Sequence, residues 1–373
     1  MKIDAGDVTS IRSRHGRRRR LGAAAAALVV AAGVAIAVPA SANAATIAAC
    51  GNAAAPHGLN AAITAANAAD GPRTIWLLPC TYVITTPADP GDPTGPTGLP
   101  EITGQLTIIG AGAVITRSAS APDLRIMHVD AGASLTLKNL TVANGFFAAG
   151  HLGAGILVLG TLTLQHSALV HNVSGGGGGG IGMPSGGTAT IVDSLLVDNA
   201  APGANDGGAI ASGGDLAISG SQLIGNSAGG LGGAIENFGT LTITGSHVDG
   251  NTGWGAAGLY DQSSMTVQNT TFRANKTTSS DGAGIYVDPG ARGSMTGVTI
   301  TANRAAGHGG GLYLGQGSTL ALTRSTVDDN SAAKTGGGIY QATPATATLL
   351  RTRVTDNTPD NCQPTNGIPG CMN

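Results

Sequence analysis

Short runs in which every second residue is aliphatic recur along most of the chain. Thr240-Leu241-Thr242-Ile243-Thr244 is typical, and Leu106-Thr107-Ile108 and Leu135-Thr136-Leu137 follow the same rule. A period of two predicts strands with one buried face. Each run sits in a longer phrase. An aliphatic residue opens it (Ile156, Ile181, Ile210, Ile235, Leu259, Ile285, Leu312, Ile339), and an asparagine closes it (Asn144, Asn172, Asn199, Asn226, Asn251, Asn275, Asn303, Asn330, Asn357). The asparagines are 24 to 28 residues apart. Three residues before each, from Asn172 on, stands Leu169, Leu196, Leu223, Val248, Phe272, Ile300, Val327 or Val354, and at Asn144 this register is off by one. A period near 27 with three alternating runs per unit predicts coils of three strands stacked in parallel register, about ten coils in all. A propeller blade needs a longer unit, and a leucine-rich repeat needs a helical segment that the pattern lacks.

The ends differ from the middle. Leu59, Ala62, Ile63 and Ala66 fall at helical spacing, predicting an amphipathic cap of about three turns. Thr74–Leu78 reads as a strand. Residues 84–100 carry five prolines and read as a protruding loop. These boundaries divide the chain into a leader (1–44), a cap with first strands (45–105), the solenoid (106–357) and a tail (358–373).

Composition adds compartment and charge. Arg12, Arg14 and Arg17–Arg20 precede an apolar run from Leu21 to Val38 and an Ala42-Asn43-Ala44 cleavage signature, predicting an export signal by the general secretory or the twin-arginine route. Its removal takes seven of 19 Lys and Arg and two of 21 Asp and Glu, leaving 12 and 19, a formal charge of −7. That balance excludes a nucleic-acid partner. An even cysteine count in an exported chain implies disulfides. Three pairings are possible, and Cys50–Cys80 with Cys362–Cys371 is the most local. No C-x-x-C and no paired His mark a metal site.

The polar residues of the phrase have a structural reading. Glycine suits tight corners. An inward asparagine satisfies turn backbone on its own coil and its neighbours, and the row Ser167, Ser194, Ser221, Ser246 and Ser325 serves the same end. The phrases Gly207-Gly208-Ala209-Ile210, Gly232-Gly233-Ala234-Ile235 and Phe272-Arg273-Ala274-Asn275 match the G-G-A-I and F-x-x-N motifs of the polymorphic outer-membrane-protein repeat. Leu59–Asn67 resembles the C-x-L-R-E-A-I-x-A-A-N head of secreted bacterial β-helix proteins, without its Arg-Glu pair. Thr358-Pro359-Asp360-Asn361-Cys362 resembles their usual end. The resemblance covers most of residues 46–373 and implies an all-β, right-handed parallel β-helix (pectate-lyase-like) at the surface or outside the cell. It implies no one reaction.

Candidate chemistry lies beside the opening aliphatics. Tyr260, Tyr286, Tyr313 and Tyr340 each follow one, so alternation turns them outward into a ladder. Such a ladder stacks on sugar rings, or on itself. Glu236 holds the same position one coil earlier, with Asp261 and Asp288 close in the repeat frame. A glycosidase needs two such carboxyls, and a lyase needs calcium and a base. Gly307-His308-Gly309 and Asp328-Asp329 are fragments of polygalacturonase motifs in reversed order. His151, His166, His171 and His247 form no ligand row. The reading is an exported monomer that binds extended extracellular or cell-wall polysaccharide as an adhesin does, without catalysis or cofactor. The alternatives are a polysaccharide lyase or glycoside hydrolase, with calcium in the lyase case only, and a purely structural surface protein.

Overall fold

The computed structural model describes residues 26–31, 34–39, 45–148, 150–365 and 367–373. Within 1–44, Ala26–Ala31 and Val34–Pro39 pair antiparallel, and the rest of the expected export signal lies outside the described residues. Among the described residues no helix is long and apolar enough to cross a membrane.

Residues 45–373 form one compact unit that winds as a parallel β-helix. One coil is representative. An opening strand Ile235–Asn237, a second strand Thr240–Thr244, a third His247–Asp249 and a closing pair Thr252–Gly253 each bond in parallel to their counterparts one coil on. Each coil thus has four short strands, not three, because two-residue closing strands are too brief to show alternation. The opening strands stack into a ten-stranded sheet from Met127–Val129 to Cys362–Gln363, and the closing strands into an eight-stranded one. In the first coils the second and third strands are continuous, as in Gln105–Arg117 and Ser134–Ala143. Counting from Ala45–Ala48 to Thr346–Leu350, the second strands number twelve, three more than the nine asparagines, because the front coils lack the phrase. At ~4.8 Å per coil the stack is roughly 50 Å long.

Inward residues fill one core in which like sits on like. Leu216 aligns with Leu241 and Met265, and Leu223 with Val248 and Phe272. At the front, helix Leu59–Asn67 buries Leu59, Ala62 and Ile63 over the first coil, and a Cys50–Cys80 disulfide ties the cap. A Cys362–Cys371 disulfide closes the far end, where Ile368 is buried.

Polar rows hold the corners. Each ladder asparagine accepts, on Oδ1, the backbone N–H and the Nδ2–H of the previous coil's asparagine. Asn199 N and Nδ2 both reach Asn226 Oδ1 at 3.0 Å. The Nδ2 of Asn226 in turn donates to Leu196 O and Asn251 Oδ1, both at 3.0 Å. The row runs from Asn172 to Asn357 and ends on Asn361. Asn144 stands outside it. It is exposed, with φ 62°, and bonds Thr116, while Gly145 takes the ladder place. The serines repeat the device, as in Ser194 N to Ser221 Oγ at 3.1 Å, with Thr270 and Thr352 filling gaps.

The residue just before each of these rows is left-handed, and glycine is only one way to supply it. Gly220, Gly245 and Gly250 do so, but so do His166, Asp193, Ala274, Arg324 and Asp356. The buried Ser and Asn bonds fix the corner, so a strained non-glycine backbone persists there. Gly245→Ala isolates that strain, because φ is +58° and a Cβ would meet nothing within 4 Å. It is expected to lower stability by about 1 kcal/mol, read from the urea midpoint at unchanged m-value.

Candidate active site

The outward row of the ten-stranded sheet gathers the chain's unusual polar residues. In register it reads His128, Leu157, Gly182, Ala211, Glu236, Tyr260, Tyr286, Tyr313, Tyr340, Gln363. A bridge between Ile102 and Val129 sets Glu101 beside His128 at its front end. Both glutamates of the chain therefore stand on one line, about five coil spacings or roughly 24 Å apart.

At the front, residues 84–100 do not protrude. The loop folds back, bridging Asp89 to Thr97 and Thr97 to Arg125, and buries Asp92, Thr97 and Leu99. Asp92 is the hub. Its Oδ1 accepts Thr94 N–H at 2.7 Å and Thr94 Oγ1–H at 2.6 Å. Its Oδ2 meets His128 Nδ1 at 2.8 Å, Thr97 Oγ1 at 3.0 Å and Arg125 Nη1 at 3.4 Å. Burial alone raises this carboxyl, but the donors from Thr94, His128 and Thr97 outweigh it and bring Asp92 down to about 2. Arg125 is fully buried. It also bonds Thr94 O, Gly95 O, Leu152 O and Gly153 O and lies over the Phe147 ring. Burial lowers it to about 10, against the pull of Asp92 and Glu101. Glu101 Oε1 lies 3.2 Å from the same His128 Nδ1, and burial raises Glu101.

The ligand atoms of Asp92, Glu101 and His128 lie within 4.8 Å of one another, a spacing that suits a divalent cation. The surroundings do not suit one. The Arg125 guanidinium holds the shared Asp92 oxygen, and a metal-bound imidazole needs an acceptor for its other N–H, whereas buried His128 Nε2 has no partner among the described residues. The cluster anchors the front loop, with Asp92 tying Thr94, Thr97, Arg125 and His128 together. Sequence reasoning missed it because its members come from three separate segments outside the repeat phrase.

Of the three candidate carboxylates, Asp261 turns away from the outward row that holds Glu236. Asp261 follows Tyr260, so alternation turns it inward, where Asn237 Nδ2 donates to its Oδ1 at 2.6 Å. Burial brings it up to about 6 despite that bond. Asp288 accepts from Tyr260 Oη at 2.8 Å, and burial raises it too. Glu236, 4 % exposed, faces a residue no repeat count singled out, Asp206 of the loop before Ile210. Burial first, and then the charge of Asp206, pushes the Glu236 carboxyl up to about 8. Asp206 itself is fixed by the backbone N–H of Leu231. The two large aromatics most exposed to solvent flank the pair, Phe238 just after the Glu236 strand and Trp254 in the loop before the next, each 49 % exposed.

The tyrosine ladder forms, but not as an open platform. Tyr260 is only 6 % exposed, and the other three are half-buried. A left-handed residue three places before the opening strand, Ala256 for the Tyr260 coil and Gly282, Gly309 and Gly336 for the next three, folds the incoming loop back over the row. A Cβ on Gly309 would lie 2.8 Å from Tyr313 Cβ. Ring centroids are 4.4 Å apart for Tyr286–Tyr313 and 5.1 Å for Tyr313–Tyr340, with the rings nearly parallel, and His308 lies tilted against Tyr340 at 4.5 Å. The ring faces thus pack on one another and leave edges to solvent. Burial is the main reason the Tyr260 and Tyr286 hydroxyls are held well above the usual phenol range. His166 and His171 pair with Asp193 and Asp198 on the exposed corners.

Comparison with known proteins agrees with the winding. The A-module of the Azotobacter vinelandii mannuronan C-5 epimerase AlgE6 is similar over 79 % of this chain and 89 % of its own, at 16 % identity and a TM-score of 0.36. No curated protein sequence matches. The family described as "Right handed beta helix region" matches residues 126–288 and again 234–368. These two overlapping matches span well over half of the chain and supply the handedness that periodicity alone does not, and the chain belongs to the right-handed β-helix family.

Proposed function

We propose that the protein is an exported carbohydrate-active enzyme that cleaves an extended, uncharged polysaccharide by acid–base chemistry at Glu236. One observation carries the reading: a glutamic acid that keeps its proton at neutral pH, set beside Asp206 and flanked by exposed Phe238 and Trp254. A neutral carboxyl is the species that protonates a departing glycosidic oxygen. Asp206 supports the proton on Glu236, and Asp288, held by Tyr260, is the second carboxylate. The aromatics offer faces to sugar rings. Asp206, Asp281 and Asp288 make this face acidic, which disfavours polyanions and is the reason for an uncharged substrate. Glu236 is 4 % exposed, so this reading requires the loops that carry Asp206 and Leu231 to part when substrate enters.

The half-buried ladder Tyr286, Tyr313 and Tyr340 favours a second reading, binding without turnover. A panel of polysaccharides assayed for both retention and released sugar, with and without calcium, separates the two. Glu236→Gln is expected to lower turnover by about 10²–10⁴-fold while retaining binding. Full activity in that variant, or retention with no product from any polymer, defeats the enzyme reading.

The same variant has a readout independent of substrate. Glu236 titrates near 4.5 unfolded and about 8 folded. Between those values the folded chain holds a proton that the unfolded chain has lost, so stability falls as pH rises through that window. Glu236→Gln is expected to flatten the fall between pH 5 and 8, measured by urea denaturation at stepped pH.

A further inference from the structure

The cover over the outward row is uneven, and Glu236 stands where it changes. A loop residue four places before an opening aliphatic lies against the outward residue one coil on. Asp206 faces Glu236 in this way, His308 packs on Tyr340, and a Cβ on Gly177 would lie 3.9 Å from Ala211 Cβ. The same count sets Leu231 over Tyr260, and Gly255, which has no side chain, over Tyr286. The loops shorten across these coils, from 202–209 to 229–234 to 254–258. Rearward of Glu236, Tyr286, Tyr313 and Tyr340 reach solvent, and Trp254 is exposed in the shortest of the three loops. Forward of it, Ala211, Gly182 and Leu157 are all buried. Leu152 and the Gly153 backbone lie over Gly182, and a Cβ on Gly177 would lie 3.3 Å from Leu152 Cδ2. Buried Arg125 donates to Leu152 O at 2.9 Å and to Gly153 O at 3.3 Å, so this cover is tied to the front anchor. Farther forward, Leu152 lines one side of a pocket with Thr94, Leu157, Leu159 and Pro184.

We propose that cleavage at Glu236 is confined to the ends of polysaccharide chains, with Leu152 as the stop. This rests on Glu236 being the acid and adds the direction in which the substrate lies. The polymer runs rearward, along Trp254 and the edges of Tyr286, Tyr313 and Tyr340, groups that pack on sugar rings. Once the loops over Glu236 part, its terminal units extend forward over Ala211 and Gly182 as far as Leu152. From Glu236 to Gly182 is two coil spacings, about 10 Å, which holds about one or two sugar rings. A chain running farther forward has to lift Leu152 and Gly153 from Arg125 and leave a buried guanidinium short of acceptors. The Asp206 loop has an exposed tip, Pro202-Gly203-Ala204, and is the cover that parts at lower cost. At the bond so placed, the glycosidic C–O bond breaks and Glu236 gives its proton to the departing oxygen. Water gives hydroxide to the anomeric carbon and its proton to Asp288, and Glu236 regains a proton from solvent.

Product size and viscosity, followed together on soluble neutral glucans, mannans and xylans, test this. Wild type is expected to release mono- and disaccharides from the first turnovers, with viscosity falling only as mass is lost. The same polymer with both chain ends chemically blocked is expected to be cut at least about tenfold more slowly. Leu152→Ala removes the branch that reaches Gly177 and is expected to lengthen the main product by about one sugar unit at unchanged melting temperature. The wild-type product pattern decides the question even where that variant is unstable. Early loss of viscosity with long fragments, equal rates on end-blocked polymer, or an unchanged product from folded Leu152→Ala overturns the chain-end restriction. Long fragments whose release Glu236→Gln abolishes leave the acid assignment standing and remove only this inference, whereas no product from any polymer removes both.

Discussion

Asp92→Ala is expected to lower stability by about 3–5 kcal/mol, the cost of leaving a buried charge without its partner. Arg125 is fully buried and the loop at Thr94 and Thr97 is folded on the same carboxylate. Removing that carboxylate takes the ion-pair partner from the guanidinium and leaves His128 Nδ1 with Glu101 alone. Asp92→Asn keeps the shape and loses the charge, so it is expected to fall between wild type and alanine. Urea denaturation checks the energies, and limited proteolysis within residues 85–98 checks that the loop opens first. The pH dependence has a definite sign. The folded value of about 2 lies below the ordinary 3.8. This carboxylate's contribution, about 2 kcal/mol from that difference, is present above pH 4 and is lost as pH falls toward 2. Asp92→Asn is expected to be less sensitive to acid over that window.

Asn226→Ala, in the middle of the ladder, is the second large effect. The substitution deletes an acceptor of two bonds from Asn199 and a donor to Leu196 O and Asn251 Oδ1. It leaves an N–H and a carbonyl buried without partners, at about 1–3 kcal/mol each, so a loss of roughly 2–4 kcal/mol is expected. Asn226→Asp is expected to be worse, since it removes both donors and buries a charge. Asn357→Ala is expected to cost less, because Asn357 is 9 % exposed and lies at the last ladder coil before Asn361. Equal losses at Asn226 and Asn357 would show that the ladder's worth does not depend on its neighbours.

The repeat was legible because stacking in parallel register makes sequence period and spatial column the same thing. Leu241 is recognisable as a core residue from two neighbours in sequence, and its partners Leu216 and Met265 follow by counting. The asparagine row was legible for the same reason, and Asn144 failed because its coil sets the left-handed residue one place later. Exposure of the outward tyrosines was not legible. Alternation tells which way Tyr260 points, and it says nothing of the loop that lies over it. Of the trio Glu236, Asp261 and Asp288, Asp261 failed on parity: it follows outward Tyr260, and residues one apart on a strand face opposite sides.

What the sequence by itself determined is everything that obeys the period: the strands, their inward rows, the polar corners, and the placing of Glu236 and the tyrosines on one line. Periodicity is a local quantity, and a solenoid converts it directly into position. Only the tertiary structure decided the pairing of Glu236 with Asp206, the folding of the proline-rich loop onto Arg125 and His128, and the burial of the tyrosine ladder. Those contacts join loops of irregular length to residues on other coils, and no spacing along the chain encodes where an irregular loop comes to rest.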